Sequence, residues 1–207
     1  MHYVLAGWFA MAAAAPGAGA ERLEAGPRDG RIVVNAYKAG LFSAFAHDHH
    51  FEVTDWKATA EIPESDPSGA SVDVVLSASS LRDTQKSLSE GDRRKVDDQA
   101  AGPDVLDAAH HPRIEFRSER ITLSPPPGAA AAVRGTIHGT LSLRGRSVAV
   151  DVPFEAARAS GTWQVRGSTR LKQSAVGIKP FSGFGGSVKV KDELTVEFAF
   201  TLRPAGG

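Results

Sequence analysis

The chain has no cysteine. Disulfides, zinc–thiolate sites and thiol nucleophiles are therefore excluded, as is the lipidated cysteine of a lipoprotein. Net charge is also missing: 24 Lys and Arg balance 24 Asp and Glu. With the arginines scattered among acids there is no basic surface to neutralise phosphates, so nucleic acid is not expected as a partner. Catalytic fingerprints are absent as well. There is no G-x-S-x-G elbow, no P-loop and no dinucleotide fingerprint. The glycine-rich "SGFGG" lacks the strand–helix context that phosphate binding requires. No enzyme and no cofactor are expected.

Long apolar runs are confined to the first twenty residues, "MHYVLAGWFAMAAAAPGAGA", which carry no Asp, Glu, Lys or Arg. They are too short and too rich in Ala and Gly for a membrane span. Ala18, Gly19 and Ala20 form a small-x-small cleavage pattern before Glu21, although only His2 precedes the apolar run where Lys or Arg is usual. The expectation is a signal peptide over 1–20, a polar link over 21–30, one domain over 31–203, and export to a periplasm.

What the chain does contain is period-two alternation, sustained almost to its end. Ile32, Val34 and Ala36 share a face, as do Val72, Val74 and Leu76, and then Ile114 and Phe116. Val133, Ile137, Leu141 and Leu143 oppose His138, Thr140, Ser142 and Arg144. A two-residue turn at Gly145-Arg146 is expected to join this run to Val148, Val150, Val152 and Phe154 as a hairpin. Trp163, Val165 and Leu171 follow, then Leu194, Val196, Phe198, Phe200 and Leu202. "FEVTDWKATAEI" switches phase between Val53 and Trp56, which predicts a bulge.

One surface helix is expected in "SLSEGDRRKVDDQA", with Ser87 and Glu90 at capping-box spacing, and "SPPPGAAAA" reads as a flexible loop. About eight strands, each apolar on one side, cannot remain an open sheet in water. With one weak helix to cover them, the strands must close on themselves or form a sandwich. A barrel of about eight strands is just wide enough to be filled by side chains or to hold one apolar ligand.

"VLDAAHHPRIEFRS", "VRGTIHGTLSLRGRSVAVDV", "LKQSAVGIKP" and "KDELTVEF" resemble, in order and spacing, the YceI-like family of bacterial periplasmic proteins. The resemblance spans residues 30 to 203. It implies an all-β, lipocalin-like antiparallel barrel enclosing a long isoprenoid, such as a quinone or polyprenyl chain, with no catalytic constellation. Where the family usually has a single histidine after its first strand, this chain has His47, Asp48, His49 and His50.

The expected apolar lumen is Phe116, Leu141, Leu143, Val150, Phe154, Trp163, Val165, Val196 and Phe198. Phe42, Phe45, His47, His49, Phe181 and Phe184 form the expected mouth. Each buried methylene of a ligand contributes about 0.8 kcal/mol, so a long tail binds tightly without specific polar contacts, before ordering costs. A homodimer and transient membrane contact are compatible with such a carrier.

Two rivals remain open. His47, His49 and His50, with Asp48 or Asp55, are near enough in sequence to begin a nitrogen–oxygen metal site. On a strand, however, His47 and His49 face one side and His50 the other, so a third ligand would have to come from His110, His111 or His138. The alternative is a metal-binding protein or enzyme at that cluster, or a filled barrel acting as a ligand-free interaction module. His110 and His111, before Pro112, read as turn residues.

Overall fold

The computed structural model describes residues 19–39, 48–63, 67–124, 132–183, 185 and 188–206. Among them run β1 (Ala20–Ala25), β2 (Gly30–Ala39), β3 (His49–Val53), β4 (Trp56–Pro63), β5 (Ser71–Ser77) and β6 (Leu81–Asp83). Helix α1 (Glu90–Ala101) follows, then β7 (Arg113–Ser124), β8 (Ala132–Leu143), β9 (Arg146–Ala159), β10 (Thr162–Lys172), β11 (Ser182–Gly183) and β12 (Val188–Pro204). The strands pair antiparallel throughout as one sheet.

That sheet closes into an eight-strand barrel. Three of its staves are bent in the middle: β1 runs on into β2, β3 into β4, and β5 into β6. β4 pairs β1 and β5, while β3 pairs β2 and β6. The long β12 bonds β10 along one edge, and β2 followed by β1 along the other. The phase switch expected between Val53 and Trp56 is one of these bends. There the Thr54 N–H and hydroxyl both donate to the Ser80 carbonyl, at 3.0 and 2.9 Å, which ties the bend to its neighbour before β6.

Three local expectations are corrected. Residues 21–25 are not a link: β1 pairs β4 from Ala20↔Pro63 to Ala25↔Ala58 and completes the barrel against β12. Leu23 and Ala25 alternate inward there, a pattern too short to stand out beside "ERLE". The β8–β9 turn is Arg144-Gly145, one residue earlier than expected, since Leu143 pairs Arg146. Both turn residues have positive φ, 52° and 70°, as the tight hairpin twist requires. Arg144 tolerates this while its guanidinium donates to the carbonyls of Pro103, Asp104 and Val105. Finally, the cap of α1 is Ser89, whose hydroxyl accepts from the Asp92 N–H at 3.1 Å. Ser89 and Asp92 have the same three-residue spacing as Ser87 and Glu90, so spacing alone did not choose between them. The loop expected at 124–132 lies largely outside the described residues.

Packing is uneven around the barrel. Leu23, Ala25, Trp56, Ala58, Ala60 and Leu202 are buried where β1, β4 and β12 meet. One end is plugged by the 3-10 turn Gln173–Val176, with Val176 fully buried and Ile178 close to it. Leu106, Ala100 and Leu143 belong to the same buried cluster. Asp192 fixes this plug, accepting from the Ser174 N–H at 2.8 Å and its hydroxyl at 2.6 Å.

Three inward phenylalanines reach over glycines of the adjacent strand. A Cβ on Gly139 would sit 2.7 Å from the Phe116 ring, one on Gly135 would sit 3.0 Å from Phe154, and one on Gly167 would sit 2.4 Å from Phe198. The glycines let these rings press against the wall instead of filling the centre. Gly139→Ala is expected to destabilise by about 1–3 kcal/mol through overpacking, because its Cβ also meets the Arg117 carbonyl oxygen at 2.3 Å. Urea denaturation of the variant measures this.

The Ser174 hydroxyl, followed by its N–H, holds the Asp192 carboxyl below the ordinary carboxylate range, against some desolvation. A carboxyl whose folded pKa is depressed stabilises the fold above its unfolded pKa, and that contribution is lost as pH falls through the folded value. Asp192→Asn should therefore lose less stability on acidification than the parent chain, read as urea midpoints at neutral and acid pH.

Candidate functional site

Inside the barrel is a cavity of about 160 Å³. It is lined mainly from β5, β7, β8, β9, β10 and β12, with Ile32 of β2 and Ala58 of β4 completing the lining. Among the described residues, Thr169 contributes the one polar side chain to its lining. The inward residues of this wall, among them Val74, Phe116, Leu141, Val152, Val165, Val196 and Phe198, are only half-buried although they face the interior. The lumen is hollow beside this wall and filled beside β1, where Leu23 and Ala25 are buried.

Phe116, Leu141, Val150, Val165, Val196 and Phe198 line the cavity. Three other expected lumen residues point inward without lining it. Leu143 is packed into the plugged end and is 6% exposed. Phe154 is held over Gly135. Trp163 carries the Arg158 guanidinium over its ring at 5.7 Å, and Arg158 in turn pairs Glu21 at 3.2 Å. Period-two alternation identifies the inward face and is blind to position along the barrel axis, which decides whether an inward residue meets space or packing. Conversely, Val72, Val74, Leu76, Ile137, Val152, Leu171, Phe200 and Leu202 line the cavity. Their alternation was legible, and nothing distinguished them from core.

Of the expected mouth, Phe42, Phe45, His47 and Phe184 lie outside the described residues. His49 sits on the inward face of β3 beside Phe51, at a ring separation of 5.9 Å. Its Nδ1 lies 2.5 Å from a carboxylate oxygen of Asp83, whose side chain is fully buried. Asp83 also accepts from the Gln85 N–H at 2.7 Å. His50 points the other way, its Nδ1 2.6 Å from the Asn35 amide oxygen. The two histidines thus occupy opposite faces with separate partners. Among the described residues no group of three His, Asp or Glu side chains could hold a metal. His110 is bound to Asp107 at 2.8 Å and His111 packs against Gly145, both beside the turns that close one end. Phe181 is 45% exposed next to β11. The indole N–H groups of Trp56 and Trp163 are buried and meet no acceptor among the described residues.

A closed antiparallel barrel with an apolar, partly hollow lumen defines a lipocalin-like binding fold. The YceI-like domain model matches residues 33–202, and the chain belongs to that family, whose barrels bind hydrophobic ligands. Among solved structures the fold is similar to Burkholderia cenocepacia BcnA, with a TM-score of 0.60 at 21% identity, over 82% of this chain and 95% of that one. It is also similar to the Campylobacter jejuni YCEI protein, with a TM-score of 0.53 at 14% identity, over 71% of this chain and 80% of that one. No curated protein matches the chain.

Val165→Phe projects a ring into the cavity from its hollow wall. It is expected to weaken uptake of an apolar fluorescent probe by about tenfold, or 1.4 kcal/mol, while leaving the thermal midpoint unchanged or raised. Titration and melting of the same sample check both.

Proposed function

We propose that this protein is an exported carrier of a long apolar or amphipathic molecule, an isoprenoid such as a polyprenyl chain or quinone, for storage or transfer through a periplasm. The observation that carries the reading is the lumen: an apolar hollow, with one hydroxyl in its lining, inside a wall whose phenylalanines are drawn back over glycines. Such a surface recognises a ligand through removal of apolar area from water rather than through polar contacts. Family membership supports the same class of ligand. The charge-poor first twenty residues support export.

A hydrocarbon tail that enters the hollow exchanges water for these apolar walls, at about 0.8 kcal/mol per buried methylene.

The test is organic extraction of the exported protein followed by mass spectrometry. A stoichiometric prenyl chain or quinone is the expected result. A clean extract, repeated after polyprenols and quinones have been offered, would sink the carrier reading and leave a ligand-free interaction module.

A further inference from the structure

The barrel wall is unzipped along one seam. β9 is bonded to β8 from Arg146 to Ala157, and β10 to β12 from Trp163 to Lys172. Between β9 and β10, however, pairing runs only from Thr162↔Ala159 to Gly167↔Phe154. The next residue on β9 is Pro153, which has no N–H for the ladder. Beyond it the strands part. Among the described residues, the one hydrogen bond across the gap is from the Thr169 hydroxyl to the Asp151 carbonyl, at 2.7 Å.

Outside this gap lies a cleft of about 560 Å³, bordered by Ala149 and Asp151 on β9, Arg170 and Lys172 on β10, and Ala175 of the plug. Val150, Thr169 and Leu171 line both this cleft and the lumen. The two spaces are therefore the outer and inner sides of one seam, separated by three side chains.

A size mismatch gives the seam a role. The lumen, at about 160 Å³, is comparable to an engineered cavity of about 150 Å³ that takes up benzene, and so has no room for a whole long chain. One end of the barrel is closed by the buried plug, and at the other Arg158, paired with Glu21, lies over the Trp163 ring. At the seam no ladder bond has to break for a chain to pass. A lumen of about 160 Å³ takes the end of one hydrocarbon chain and not of two side by side. Arg170 and Lys172 stand at the outer lip, with Arg170 3.7 Å from Glu193 and Asp151 2.6 Å from the His138 ring.

We propose that the β9–β10 seam is a lateral ligand site continuous with the lumen, through which the tail of a single-chain amphiphile enters while its anionic head stays at Arg170 and Lys172. This rests on the carrier reading above and adds the route and the ligand class.

The absence of native cysteine makes a clean test available. Ala149→Cys with Lys172→Cys places thiols on the two lips, to be bridged by a short bifunctional methanethiosulfonate that dithiothreitol removes. Ser142→Cys with Ser147→Cys, on directly paired residues of β8 and β9, is the control bridge. Uptake of cis-parinaric acid is followed by stopped-flow fluorescence. The bridged seam should load at least about tenfold more slowly and recover on reduction, and the control bridge should load at the unbridged rate. Equal rates with the seam bridged and open would overturn the lateral route while leaving the carrier reading intact. Equal slowing by both bridges would overturn it too, as a general stiffening effect. Failure of the unmodified protein to take up the probe at equilibrium would remove the carrier reading and the seam together. Thr169→Val, which removes the bond across the gap, should load faster, and a slower rate would count against the seam.

Discussion

Everything in this molecule depends on closing a sheet that is apolar on one face only. β12 does this, because it is long enough to bond β10 on one edge and both β2 and β1 on the other. The contact with β1 is short, Leu23↔Pro204 and Glu24↔Arg203. The chain therefore has to turn sharply between β1 and β2 to keep both on the same neighbour. Gly30 stands where β2 resumes, and any Cβ there would lie 2.2 Å from the Ala199 carbonyl oxygen. Once the ring is closed, the apolar face has no route to water except through the ends or through a fault in the wall.

The same closure explains why the interior divides into a filled and a hollow half. The bent staves β1–β2 and β3–β4 bring small residues, Ala25, Ala58 and Ala60, close together, and Leu23 and Trp56 complete a dense core there. The long straight strands opposite carry larger residues, but their phenylalanines are pulled onto glycines and leave the centre open. Packing and vacancy thus come from how small and large residues are distributed between the two walls, with the same alternation on both. Pro153 adds a second asymmetry, because a missing donor in the middle of a wall ends the pairing of two strands that are otherwise fully engaged.

The histidine-rich segment shows how a strand separates neighbours. His49 turns inward to the buried Asp83, and His50 turns outward to Asn35. In sequence they are a cluster of potential ligands, and in the fold they serve two unconnected hydrogen bonds. Asp83 is held from several directions at once, by His49, the Gln85 N–H and the position of β6 against β3. This tethers the segment leading to α1 across the barrel end.

The sequence by itself determined that strands apolar on one side, with no second layer to cover them, must close on themselves or stack as a sandwich, and the resemblance to the YceI-like family selected the barrel. It also determined which face of each strand looks inward, since one residue of slip would reverse every side chain. Short elements were illegible: β1 has too few alternations to distinguish from a link, and two serines had equal claims to cap α1. The hollow was undecidable, because an inward valine reads the same whether it meets a neighbour or a void. Only the tertiary structure decided that Phe116, Phe154 and Phe198 lie against glycines on adjacent strands, and that His49 and Asp83, 34 residues apart in sequence, meet. It also decided that Pro153 opens the wall at a place shared by cleft and lumen. Each of these is a relation between strands, set by register and closure, and no stretch of a single strand contains it.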